Sequence, residues 1–159
     1  MRTIDSIDIN VDPTLAFRFA RDIRNWPVLL PHYRWVHVLE EQGDFAVVVM
    51  AAKRGWIPVQ WKAIQHWDTS LSHIYYQHIE GATRGMRVIW EIESQGTGTH
   101  INLIHDLTLD TPVIRSWIGK LIVGHYFVHY IASRTLQVMK GLLEKESSCV
   151  EQSSRVSDR

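Results

Sequence analysis

The stretch from about Ile118 to Lys145 constrains the fold of this chain most, because it is the longest segment that reads as one helix. Apolar residues recur at three- and four-residue steps through Ile118, Leu121, Ile122, Val128, Ala132, Leu136, Met139 and Leu143, with His125 and Thr135 on the same face. One stripe of this helix must be buried. At about 1.5 Å per residue it is roughly 40 Å long, enough to cross a sheet of about six or seven strands spaced near 4.8 Å.

The rest of the chain supplies such a sheet. Ser6 to Val11 alternates Ile7, Ile9 and Val11 with polar residues and reads as a half-buried first strand. Asp12 then caps a short helix that opens on Pro13 and runs to about Asp22, with Leu15, Ala16, Phe19, Ala20 and Ile23 toward the core. Pro27 and Pro31 force a break and a second short helical turn. From Arg34 onward the pattern has period two, punctuated by turn signals such as Gln42-Gly43-Asp44, Lys53-Arg54-Gly55 and Gln95-Gly96-Thr97-Gly98. The strands fall at Trp35 to Glu41, Phe45 to Ala52, Ile57 to Trp67, Ser72 to Glu80, Met86 to Ser94 and His100 to Leu109. Short connections imply antiparallel pairing. The expected class is α+β: a curved antiparallel sheet of about seven strands with two short helices, wrapped around one long C-terminal helix. A sheet that bends away from a helix leaves an internal cavity between them. Residues 1–146 form one domain in this reading, and the polar residues 147–159 a disordered tail.

Composition narrows the function. With 17 basic and 17 acidic residues, the chain lacks the overall basic excess of a nucleic-acid or acidic-membrane binder, so its expected partner is a hydrophobic small molecule. The only cysteine, Cys149, lies in the polar tail, which leaves no disulfide framework and no thiol nucleophile in the fold. No apolar run reaches the length of a membrane span and the first residues lack a signal core, so the cytoplasm is expected. Neither a phosphate-binding glycine motif nor a Gly-x-Ser-x-Gly nucleophile occurs, and no cofactor is expected. A homodimer through exposed apolar residues is compatible with the sequence, which does not demand one.

Seven tryptophans and five tyrosines can fill a core or line a cavity. Trp26 and Tyr33, seven residues apart, look the same way if their segment is helical. Strand alternation puts Val59, Trp61, Ala63 and Gln65 on one face, then Ile74, Tyr76 and His78, then Met86, Val88, Trp90 and Ile92, then Ile101, Leu103, His105 and Leu107. His78 and His105 are thus polar groups on apolar faces. A neutral imidazole in a cavity can take an acidic proton from between two ketones and return it to a leaving hydroxyl. Tyr33 and Gln65 can donate hydrogen bonds to a ketone oxygen as it gains charge. The plainer reading is a core histidine bonded to a backbone carbonyl. His105 is the stronger candidate, because Asp106 points to the opposite face. His125 and His129 have the i, i+4 spacing of a metal pair, but no third ligand is evident and a structural role is the reading adopted.

The element order, together with Asn25-Trp26-Pro27-Val28-Leu29-Leu30-Pro31-His32-Tyr33 and Met86-Arg87-Val88-Ile89-Trp90-Glu91, resembles the START-like helix-grip superfamily. It is most similar to the polyketide cyclase and dehydrase branch and the related coenzyme Q-binding START-like proteins. That resemblance implies a pocket between sheet and long helix in which a poly-β-ketone chain, free or bound to a carrier protein, undergoes aldol closure and dehydration. It also implies pocket positions at Trp26, Tyr33, Trp61, Met86 and Trp90, to which the strand and helix faces add Tyr76, Gln65, Leu103 and Val128. The cyclases carry Trp-x-Ser-x-Arg where this chain reads Trp61-Lys62-Ala63-Ile64-Gln65, so their arginine is replaced by a neutral amide. Two functions stay open: a cyclase or dehydratase, and a non-catalytic carrier of a lipid, quinone or isoprenoid.

Overall fold

The computed structural model describes residues 2–107 and 126–157, with side chains as far as 149. In chain order the elements are β1 (Arg2–Ile9), α1 (Pro13–Arg21), a 3₁₀ turn (Ile23–Asn25), α2 (Trp26–Leu29), β2 (Tyr33–Gln42), β3 (Phe45–Arg54), β4 (Ile57–Asp68), β5 (His73–Gly81), β6 (Met86–Gln95), β7 (Gly98–Leu107) and α3 (His129–Ser157). The fold is α+β helix-grip, as the pattern of alternation predicts.

All strand pairs are antiparallel, in the order β1-β7-β6-β5-β4-β3-β2. Consecutive strands β2 to β7 are neighbours, whereas β1 and β2 occupy opposite edges. The segment that joins these edges must therefore cross the sheet, and α1 does so by packing on β5, β6 and β7. Register shifts in β2 and between Lys62 and Ala63 of β4 bend the strands, since a bulge increases local twist. Gly81 answers the β4 shift: it pairs with Trp61 at a φ of +94°, and a Cβ there would collide with the Gln60 carbonyl.

Asp12 caps α1 through a 2.8 Å bond from the Thr14 amide to its carboxylate, with proline in the first turn. Ala16, Phe17, Ala20 and Ile23 are buried here, while Leu15 is exposed. The inward stripe thus includes Phe17 in place of the expected Leu15, because the helix rolls to place its small residues against the sheet. β1 begins at Arg2, four residues before the expected start, because its pairing with β7 continues from Ile9 opposite Thr99 out to Arg2 opposite Asp106.

The start expected for the long helix near Ile118 lies outside the described residues. A single π turn at 126–128 leads into α3. Its buried stripe is Phe127, Val128, Ile131, Ala132, Thr135, Leu136, Met139 and Leu143. At the other end the helix continues to Ser157, past Glu146, through residues expected to form a disordered tail. No glycine or proline follows Gly141 to stop it, and the Ser148 hydroxyl bonds back to the Glu144 carbonyl at 2.8 Å. His129 does not belong to a metal pair among the described residues; its Nδ1 lies 2.6 Å from the carboxylate of Asp5, and His125 is not described.

Candidate functional site

A cavity separates the concave face of the sheet from α3. Its free space, counted to its opening on solvent, is about 560 Å³.

Three walls converge on it. The α2 region and the start of β2 contribute Trp26 and Tyr33; the strands contribute Trp61, Tyr76, Met86, Trp90 and Leu103; the helix contributes Phe127, Val128, Ile131 and Ala132. The aromatic rings form a connected layer. Trp26 meets Tyr33 edge-on at 5.0 Å and Trp90 at 6.0 Å, and Tyr33 meets Trp61 at 6.3 Å. The Trp26 indole N–H donates to the Phe19 carbonyl at 3.1 Å, which holds the ring in place.

Polar groups gather at two places on this lining. At the first, Nδ1 of His78 lies 2.6 Å from the Thr83 hydroxyl, and the imidazole stacks on Trp61 with centroids 5.6 Å apart and planes 6° apart. His105 stands near His78, and its own Nδ1 is buried with no hydrogen-bond partner. Burial lowers the pKa of His78 to about 3, with the neighbouring His105 adding to the effect, and burial lowers that of His105 to about 4. Both imidazoles are neutral near pH 7. Asp106 faces away from His105 and pairs with Arg87 at 3.3 Å.

At the second, Thr135 of α3 lies 2.8 Å from Nε2 of His32 and also hydrogen-bonds the Tyr33 hydroxyl. Burial raises the Tyr33 pKa above its ordinary value, so the phenol keeps its proton and remains a donor. Burial, helped by the nearby Arg134, lowers that of His32 to about 4.

Of the residues singled out in the sequence, Trp26, Tyr33, Trp61, Tyr76, His78, Met86, Trp90, Leu103, His105 and Val128 all line the cavity. Gln65 does not. It is buried on the same concave face, but its amide nitrogen donates to the Arg21 carbonyl at 3.1 Å and to the Tyr76 hydroxyl at 2.9 Å. It faces a separate hollow beneath the end of α1, with Arg21, Glu41 and Trp67. The structure also adds Thr83 and Phe127, for different reasons. Thr83 sits in the β5–β6 loop, which the Gly85 amide folds inward by bonding to the His78 carbonyl at 2.9 Å. Phe127 follows from the π turn, which brings two consecutive side chains, Phe127 and Val128, onto the buried face.

Among the described residues, no group of three His, Cys, Asp or Glu could hold a metal ion, and no helix is long and apolar enough to cross a membrane. The fold recurs in solved structures. The Zhui aromatase/cyclase from a Streptomyces species superposes with a TM-score of 0.79 at 17% identity, covering 92% of this chain and 95% of that one. A START superfamily protein from Mycobacterium smegmatis gives 0.72 at 11% identity, over 91% and 97% of the two chains. Major latex-like protein 151 from Panax ginseng gives 0.71 at 11%, over 90% and 97%. These likenesses concern the fold. No curated protein matches the sequence. The family described as polyketide cyclase / dehydrase and lipid transport matches residues 9–122, more than half of the chain, and the protein belongs to that family.

Proposed function

We propose that the cavity binds a hydrophobic small molecule that carries a ketone, and that the protein catalyses aldol closure and dehydration of a poly-β-ketone chain. The observation that carries this reading is the unpartnered Nδ1 of His105, buried beside His78 on a mostly apolar lining. An unsatisfied buried nitrogen costs about 1 to 3 kcal/mol, and a ligand oxygen or acidic C–H brought to the ring would offset that cost.

The chemistry starts from the neutral His105 ring, which is able to accept a proton at pH 7. His105 takes a proton from the carbon between two ketones, and the electron pair moves onto the adjacent oxygen as an enolate. Tyr33 donates a hydrogen bond to that oxygen. The enolate carbon then attacks a second carbonyl carbon, forming the carbon–carbon bond, and the new alkoxide takes the proton from the imidazolium. Removal of a further α-proton and departure of the hydroxyl with a proton release one water and leave a double bond. An imidazole that is neutral at pH 7 is free to accept, and its low pKa makes its protonated form a strong acid toward the leaving hydroxyl. His78 stays neutral meanwhile, since two adjacent imidazolium charges repel.

One observation favours a second reading, a carrier for a lipid, quinone or isoprenoid. Gln65 occupies the position of the cyclase arginine and is turned to Arg21 and Tyr76, so no cationic side chain faces the cavity among the described residues. Binding an apolar chain needs only burial, worth about 25 cal/mol per Å². The same chain, in one domain and located in the cytoplasm, would serve either role, and a carrier-protein-bound substrate belongs to the cyclase reading alone. Incubation with a freshly generated poly-β-ketone, followed by product analysis, separates them. The cyclase reading expects a changed product pattern that His105→Phe abolishes while ligand-induced tryptophan quenching persists. Unchanged products together with a co-purified lipid or quinone would decide for the carrier.

A further inference from the structure

The β3–β4 hairpin turns in two residues, Gly55 and Trp56, between the paired Arg54 and Ile57. Gly55 takes a φ of +59°, as such tight turns demand, and the turn fixes Trp56 outward with 90% of its surface exposed. A lone exposed apolar residue needs no explanation. Trp56, however, has company: Ile57 on the same hairpin, Val28 on α2 at 85% exposure, and Tyr126 ahead of α3 at 59%.

Hydrogen bonds gather these elements at one end of the molecule. The Lys53 amide donates to the His32 carbonyl at 2.8 Å, joining the hairpin to the segment after α2. The Arg54 guanidinium reaches the Tyr126 carbonyl at 2.6 Å and lies over the rings of Tyr126 and Tyr130, joining it to the start of α3. Tyr33, Phe127 and Val128, which line the cavity, belong to these same elements.

The charge of this end differs from that of the whole. The balance of 17 basic and 17 acidic residues conceals a segregation: stretches 26–39, 45–67 and 126–143 contain no aspartate or glutamate, yet hold Arg34, Lys53, Arg54, Lys62, Arg134 and Lys140, the last paired with Glu144 further along the helix. Of the acidic groups brought in by other elements, Glu80 is paired with Lys62 and Asp5 is buried against His129.

We infer that this end docks on an anionic phospholipid surface, with Trp56 inserted at the level of the headgroups and Lys53 and Arg34 facing lipid phosphates. Tryptophan favours the membrane–water interface, because its ring is apolar and its N–H polar, and each nearby cation adds attraction to an anionic leaflet. A protruding two-residue tip also suits a fluid surface better than a second copy of the chain. A buried tryptophan covers roughly 150 to 250 Å², against the about 800 Å² per partner of a stable protein interface. The inference is independent of whether the cavity is catalytic.

The full chain is to be sedimented with phosphatidylcholine vesicles with and without phosphatidylglycerol. Binding to the anionic vesicles that weakens with salt is expected. Lys53→Glu should reduce it about fivefold and Trp56→Ala about tenfold. Both substitutions lie on the exposed hairpin, and unchanged circular dichroism and melting would show the fold intact. Failure of the wild-type chain to bind, or equal binding by Trp56→Ala, overturns the inference. So does a concentration-dependent dimer that Trp56→Ala abolishes in the absence of vesicle binding, which would assign the tip to a second copy.

Discussion

Two polar pairs sit on the same concave face, and only one of them is complete. Gln65 and Tyr76 lie directly opposite each other on β4 and β5. The Gln65 amide donates both to the Tyr76 hydroxyl and to the Arg21 carbonyl, tying the sheet to the end of α1. His78 and His105 are buried to a similar degree, at 4% and 8% exposure against 2% and 6%. Yet among the described residues the His78 ring hydrogen-bonds only the Thr83 hydroxyl, and Nδ1 of His105 has no hydrogen-bond partner. Burial alone therefore does not mark a functional group. A polar pair whose partners are all supplied by the chain holds the fold together, whereas one left short of a partner is set up to receive it from a ligand.

Acidification should separate the pairs most strongly. His78 and His105 have folded pKa values of about 3 and 4, below the usual 6.5, so the unfolded chain binds more protons between those limits. Their contribution to stability is complete above pH 6.5 and is lost as pH falls toward 4. Together they should cost about 4 kcal/mol between pH 7 and pH 5. His100, held by Asp8, is shifted the other way, so the comparison is made against the His78→Phe, His105→Phe double variant. Urea unfolding across this range should give a flatter profile for the variant, and parallel profiles would remove the claim that both imidazoles are buried neutral.

Truncation comes next. Gln65→Leu leaves the Tyr76 hydroxyl and the Arg21 carbonyl short of a donor and should lower stability by about 2 to 3 kcal/mol. His105→Phe removes a nitrogen that already lacks a partner, and the change in stability at pH 7 should stay within about 1 kcal/mol. Chemical denaturation measures both, and a larger loss in His105→Phe than in Gln65→Leu would invert the comparison. The smallest effect is expected from Thr83→Val. It deprives His78 of its hydroxyl partner at nearly constant volume and should cost about 1 kcal/mol, read as a small shift in melting temperature.

The strand pattern made the concave face legible, because period-two alternation places every second side chain on it whatever the partner strand. That is why the sequence alone places Trp61, Tyr76, His78, Trp90, Leu103 and His105 on one face. Alternation assigns a face but not what covers it, so it groups Gln65 with the cavity although the end of α1 lies over it. Thr83 is in a loop with no period, and only Gly81 and Gly85 signalled a turn there. Phe127 fell off the helical stripe because a π turn shifts the phase of a 3.6-residue repeat. The continuation of α3 to Ser157 is not legible in the sequence, because low apolar content argues against a core but not against helix.

The most direct test observes the ring nitrogens themselves. NMR of the histidine side chains should be recorded while a soluble β-diketone is titrated into the protein at pH 7. A ligand at the incomplete pair predicts a change in the His105 ring-nitrogen resonances, with the Gln65 side-chain amide unmoved. Perturbation of Gln65 with His105 unchanged, or saturable binding that moves neither, would contradict the assignment of the histidine pair as the ligand's polar contact.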